Sequence, residues 1–118
     1  MIKIYYYNRC GTSIKAKKFF DEHGMDYEIV PIVEEPPTKE ELKNMLYQSG
    51  LDIKKFFNTS GQSYREQGMK DKVKSLTEEE LLEILAADGK IIKRPVITDG
   101  KTTTVGWNEK IAEAWAKK

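Results

Sequence analysis

The first 32 residues constrain the fold more than any other stretch of the chain. Ile2 to Tyr6 is an apolar, aromatic run of β-prone residues, which predicts a buried strand. Asn8-Arg9-Cys10-Gly11 is loop-like in composition. A helix is predicted from Thr12 to His23, where Ala16, Phe19 and Phe20 fall at i, i+3 and i+4 and form an inner face opposite Lys15, Lys18, Asp21 and Glu22. Gly24 is a natural helix stop, and Tyr27 to Ile32 reads as a second strand. A strand, a helix and a strand joined by so short a crossover make a right-handed βαβ unit with parallel strands.

The end of the chain returns to strands. Pro95 to Thr98 is followed by Asp99-Gly100, a hairpin turn signal, and Lys101 to Val105 completes the hairpin. A last helix is predicted from Asn108 to Lys117, with Ile111, Ala114 and Trp115 facing inward. The region between, about 36–90, reads as a helical insertion. Pro36-Pro37 breaks the chain, and Thr38-Lys39-Glu40-Glu41 is a capping box that opens a helix with Leu42, Met45 and Leu46 on one side. Ile53, Phe56 and Phe57 suggest a short helix, and Asn58 to Gly61 a loop. Residues 62–75 are polar, with Tyr64 and Met69 as anchors. A second capping box, Thr77 to Glu80, opens a helix carrying Leu81, Leu82 and Leu85. The order is βαβ, helices, ββα: an α/β chain of 118 residues forming one domain over 1–118.

Several classes of function fall away on composition. Hydrophobic residues make up 39% and charged residues 33%, which suits a folded globule rather than a disordered chain. No apolar run approaches the roughly 20 residues that span a bilayer. Met1 to Tyr5 lacks the zones of a signal peptide, so a cytoplasmic location is expected, with no membrane association. Lys plus Arg number 20 against 19 Asp plus Glu, a net charge of +1, without the basic excess of a direct nucleic-acid binder.

Chemistry concentrates at Cys10. It is the one cysteine, and His23 the one histidine, which excludes an internal disulfide and a cysteine-rich zinc site and leaves no metal set. His23 lies a helix length away, roughly 15 Å at about 1.5 Å per residue, too far for a catalytic dyad. Cys10 falls between strand and helix, where partial positive charge and free N–H groups stabilise a thiolate. Arg9, Gly11, Thr12 and Ser13 would cradle an oxyanion there. An inert buried cysteine is the competing reading, disfavoured by polar neighbours on both sides. Ser13 stands where a dithiol site would carry its resolving cysteine, so any disulfide must form with an external thiol. Arg94-Pro95 precedes the hairpin. Pro95 suits a strand head and a cis bond and is placed to line the site. Arg94 would aim a planar fork at a bound oxyanion, although spacing alone fits a surface arginine equally. Trp107 and Trp115 read as helix-docking residues.

The combination of Cys10-Gly11-Thr12-Ser13 after a strand, Glu35-Pro36-Pro37-Thr38 before a helix, a helical middle ending in Tyr64 and Gly68, and Ile92-Lys93-Arg94-Pro95 resembles the glutaredoxin-linked arsenate reductases of the ArsC family. The Spx regulators share the same outline. Asn58-Thr59-Ser60-Gly61, Tyr64-Arg65-Glu66 and Val105-Gly106-Trp107 are similar to a firmicute branch of arsenate-reductase-like proteins. The resemblance implies a thioredoxin-like (glutaredoxin-like) fold with a central helical insertion and no bound cofactor. It implies an oxidoreductase in which the Cys10 thiolate attacks arsenate. Glutathione or another small thiol is the co-substrate, and a glutaredoxin or thioredoxin-type partner completes turnover. Arg94 matches one of three family arginines. Asn58 and Gly106 stand where the other two are expected, with Arg9, Arg65 and Lys93 as candidate replacements. Two further readings are a general thiol–disulfide protein and an Spx-like regulator that binds RNA polymerase. Either thiol reading expects a monomer that carries a single adduct after mild oxidation.

Overall fold

The computed structural model describes residues 1–117. Its sheet has four strands in the order β2-β1-β3-β4. Strand β1 (Ile2–Tyr6) pairs in parallel with β2 (Tyr27–Pro31) and antiparallel with β3 (Val96–Thr98), which pairs antiparallel with β4 (Thr103–Val105). Successive side chains on a strand point to opposite faces, so the sheet feeds two cores. Ile4 and Ile97 join Ala16, Phe20 and Trp115 on one face, beneath helices α1 (Gly11–Glu22) and α6 (Glu109–Ala116). Tyr5, Val96 and Val105 join Leu42, Phe56, Leu82 and Ile92 on the other, beneath the helical insertion. This is the α/β, thioredoxin-like arrangement expected from the element order.

The insertion runs through α2 (Lys39–Ser49), a 3-10 turn (Ile53–Phe56), α3 (Gln62–Glu66), α4 (Met69–Ser75), α5 (Glu78–Ala87) and a second 3-10 turn (Gly89–Ile91). Both predicted capping boxes form. The Glu41 N–H donates to Thr38 Oγ1 at 3.1 Å and the Thr38 N–H to Glu41 Oε1 at 3.0 Å. At α5 the Glu80 N–H donates to Thr77 Oγ1 at 3.2 Å and the Thr77 N–H to Glu80 Oε1 at 3.1 Å.

The structure departs from expectation in three places. The polar stretch 62–75 holds two helices, broken at Gly68 (φ 63°), with Met69 fully buried and Tyr64 edge-on to Phe57. The last strand begins at Thr103 rather than Lys101. Thr98 pairs with Thr103, and Asp99 Oδ1 accepts from the Lys101 and Thr102 N–H groups across a four-residue loop. Ala114 is exposed rather than inward-facing. Helix α6 packs through Trp115, whose Nε1–H donates to Thr104 Oγ1 at 2.9 Å, and through the partly buried Ile111 one turn earlier, and Ala114 lies off that stripe.

Gly89 fixes how the insertion returns to the sheet. A Cβ at this position would lie 2.0 Å from the carbonyl oxygen of Ile32, so only glycine lets the two backbones meet. From there the chain pairs with the loop after the first 3-10 turn. The Asn58 N–H donates to Ile91 O and the Lys93 N–H to Phe56 O, each at 2.8 Å. These bonds carry Asn58, Lys93 and Arg94 together towards the end of β1.

Candidate functional site around Cys10

A tight turn follows β1, closed by the Cys10 N–H donating to Tyr7 O at 3.0 Å. It makes Cys10 the N-cap of α1, in extended conformation (φ −106°, ψ 116°), and its carbonyl accepts the first helical bond from the Ile14 N–H at 3.1 Å. No side chain caps this helix, and no acidic residue occupies its first turn. The free N–H groups and positive end of the helix macrodipole therefore face the sulfur.

Cys10 Sγ lies 3.0 Å from Thr12 Oγ1, and the Thr12 hydroxyl donates to the Arg94 carbonyl at 3.1 Å. The two contacts compete for one proton. While the thiol is neutral, its S–H serves the Thr12 oxygen and Thr12 serves Arg94. A thiolate has no proton to give, so Thr12 must swing its O–H to the sulfur. Burial pushes the Cys10 pKa up, but hydrogen bonding from the Thr12 hydroxyl and from the Ser13 and Thr12 groups at the helix start outweighs it, and the net effect is a lowered pKa. Ser13 Oγ is buried and has no hydrogen bond of acceptable geometry, so the Thr12 hydroxyl and the backbone N–H groups account for most of the lowering.

The Arg94-Pro95 peptide bond is cis. The Arg94 guanidinium sits 4.5 Å from the centre of the Tyr7 ring, a cation–π contact that holds it across the end of β1. Its Nε and Nη1 are buried without a hydrogen-bond partner. No carboxylate among the described residues pairs with it. Cys10, Thr12, Asn58, Lys93, Arg94 and Gly106 share the walls of a cavity of about 340 Å³, and none of the described wall residues is acidic. A larger cavity, about 930 Å³, lies apart from this, between α2, α4 and α5 with Tyr47, Leu76 and Leu81 in its walls. It holds no cysteine, serine or histidine.

The structure thus brings Cys10 and Thr12, Asn58, and Arg94 together from three segments. Gly11 is exposed, and a Cβ there would meet nothing within 4 Å outside its chain neighbours, so no clash requires glycine at this position. Ser13 is buried behind the cysteine. Pro95 is buried too, and its carbonyl accepts the Gly106 N–H at 2.9 Å, which ties the hairpin to the cavity. Arg9 and Arg65 are exposed and form no part of the cavity wall, whereas Lys93 does. His23 ends α1, with Nδ1 2.9 Å from Phe19 O. Among the described residues, no group of three His, Cys, Asp or Glu side chains could hold a metal ion, and no helix is long and apolar enough to cross a membrane.

Comparison with known proteins places this fold among relatives. The uncharacterized protein YusI of Bacillus subtilis is 52% identical over 98% of each chain. An arsenate reductase of Rhizobium meliloti is 28% identical, over 81% of this chain and 67% of its own. The global transcriptional regulator Spx of Listeria innocua is 27% identical, over 92% of this chain and 82% of its own. A crystal structure from Bacteroides fragilis, described as ArsC family related, superposes with a TM-score of 0.92 at 40% identity, over 96% of this chain and 95% of that one. A sequence model of the ArsC family matches residues 5–115, which takes in the end of β1, the Cys10 turn, the insertion, the Arg94 segment and nearly all of α6. With the family model, the relatives and the fold in agreement, the chain belongs to the ArsC family.

Proposed function

We propose that the protein is a cytoplasmic single-thiol oxidoreductase. The Cys10 thiolate attacks arsenate or a disulfide, Arg94 steadies the anion, and an external thiol assisted by a glutaredoxin-type partner restores the cysteine. The observation that carries this reading is the juxtaposition of a thiol of lowered pKa, at an uncapped helix N-terminus, with a guanidinium that has no acidic partner. With arsenate, sulfur displaces an oxygen from arsenic. A small thiol then reduces the adduct, arsenite leaves, and the mixed disulfide on Cys10 is opened by a second thiol. Asn58 and Gly106, at the places of two family arginines, remove two charge-assisted partners worth about 1.5–3 kcal/mol each. Weak binding of free arsenate is therefore expected.

The deciding experiment measures arsenite formation with glutathione and glutaredoxin, and in parallel the intact mass after mild oxidation with glutathione. A monomer carrying one glutathione, absent in Cys10→Ser, supports the single-thiol reading. A covalent dimer or an unmodified thiol overturns it. Arsenite above the thiol background decides for arsenate as substrate, and none leaves disulfide exchange.

The match to a transcriptional regulator over 92% of the chain favours a second reading, docking on RNA polymerase. Ser13 denies such a regulator an internal disulfide switch. Co-purification of polymerase subunits with the tagged chain tests it, and a clean negative at high bait occupancy rejects it.

A further inference from the structure

Gly106 is buried with φ 83°, and its missing side chain leaves a space that another residue uses. A Cβ built there would lie 3.1 Å from Lys93 Cε, 3.7 Å from Nζ and 3.9 Å from Cδ. The outer half of the Lys93 side chain therefore lies along the Gly106 backbone, and both residues belong to the wall of the Cys10 cavity. Lys93 pairs with no carboxylate among the described residues, and no acidic side chain shares that wall. The site thus has two cations of different kinds. Arg94 is partly buried with its guanidinium over the Tyr7 ring, while Lys93 is exposed.

A cavity of about 340 Å³ sits at the lower end of ordinary small-molecule sites. A single tetrahedral oxyanion fills only a fraction of it, so there is room for a small thiol beside the reacting sulfur. We infer that Lys93, admitted by Gly106, receives the carboxylate of a small acidic thiol or disulfide and selects such co-substrates over neutral ones. This rests on the single-thiol reading above. In the step concerned, the Cys10 thiolate attacks one sulfur of an acidic disulfide. A new S–S bond forms at Sγ, the old S–S bond breaks, and the second half leaves as a thiolate. Cys10 is oxidised and the departing half is reduced, with no other reactant.

The test uses two disulfides at low ionic strength: oxidised glutathione, which carries carboxylates, and hydroxyethyl disulfide, which is neutral. The readout is the ratio of their rates on the same protein. The ratio cancels any change in the thiolate fraction, because both substrates meet the same sulfur. An exposed charge pair is worth up to about 1 kcal/mol, so Lys93→Gln should lower the ratio about three- to fivefold. Lys93→Arg should restore it, and added salt should compress it in the wild type. Gly106→Ala, which crowds Lys93 Cε, should lower the ratio in the same direction. An unchanged ratio in Lys93→Gln overturns the inference and leaves Cys10 chemistry standing. A wild type inert to both disulfides overturns the single-thiol reading, and this inference with it.

Discussion

Helices α2 and α5 begin in one way and α1 in another. Each of the first two uses a threonine and a glutamate to close its N-terminus, Thr38 with Glu41 and Thr77 with Glu80, and each has further acid in the first turn: Glu40 in α2, Glu78 and Glu79 in α5. Their positive ends are thereby neutralised from within. Helix α1 has neither device. Its N-cap is Cys10, no side chain bonds to its first N–H groups, and Lys15, Lys17 and Lys18 follow further along it. The short helices α3 and α4 also start without a side-chain cap, but of the four helices of eight residues or more only α1, beside the single thiol, is left open. The cations around that end reinforce the contrast, since Arg94 and Lys93 line the Cys10 cavity and no acidic residue among those described shares its wall.

Removing the cation that serves the open end should have the largest effect. Arg94→Ala takes away a charge-assisted partner worth about 1.5–3 kcal/mol, so the rate of arsenite formation or disulfide exchange should fall about 10- to 100-fold. Steady-state kinetics of the purified variant measures this. A rate within twofold of the wild type would mean that the guanidinium, despite its place against Tyr7, does not face the reacting anion.

Opening a closed end should cost stability and leave chemistry alone. Thr77→Ala removes the α5 cap, for a loss of about 1 kcal/mol and a melting temperature about 4 °C lower. Helix α5 buries Leu81, Leu82 and Leu85, so the loss reaches the whole insertion. The iodoacetamide alkylation rate of Cys10 should not change. Closing the open end is the converse. Cys10→Ser places a favoured N-cap where none exists and should raise stability by about 0.5 kcal/mol while abolishing thiol chemistry. Urea denaturation of the two proteins side by side would show it. A less stable serine variant would mean that α1 is not short of a cap.

Much of this contrast is legible in the sequence. Apolar periodicity marks β1, α1 and β2, and the spacing of Thr38 with Glu41 and of Thr77 with Glu80 marks the closed ends before any coordinates. Cys10 and Arg94 stand out by chemistry and position. Helices α3 and α4 are not legible, because helices of five and seven residues hold by tertiary anchoring, here through Tyr64 and Met69, rather than by an apolar stripe of their own. Which of the candidate cations Arg9, Arg65 and Lys93 joins Arg94 is not legible either. Arg9 adjoins Cys10 in sequence, yet the turn that makes Cys10 an N-cap leaves Arg9 exposed and outside the cavity. Lys93 reaches the cavity because β-bridge pairing of Phe57 with Ile92 aligns its segment and because Gly106 leaves room. Both depend on residues far apart in the chain, which periodicity and motif spacing do not register.

The smallest expected effect tests the chemistry of the open end most directly. Thr12→Val keeps the shape of the side chain and removes the hydroxyl that lies 3.0 Å from Sγ. That hydroxyl is the largest of the influences lowering the Cys10 pKa and works against burial, which raises it, so the pKa should rise in the variant and the alkylation rate–pH profile should move to higher pH. The backbone N–H groups of the first turn remain, so the movement is partial. The sign for stability follows from the same shift. A thiol whose folded pKa lies below its ordinary value of 9.0 contributes stability that is fully present above that value and is lost as pH falls through the folded value. The wild type should therefore gain stability relative to Cys10→Ser as pH rises from neutrality past 9.0, and Thr12→Val should gain less over the same window. Urea midpoints at paired pH values read this out. A Thr12→Val profile that coincides with the wild type, or lies at lower pH, would show that the open helix end holds the thiolate without its neighbour.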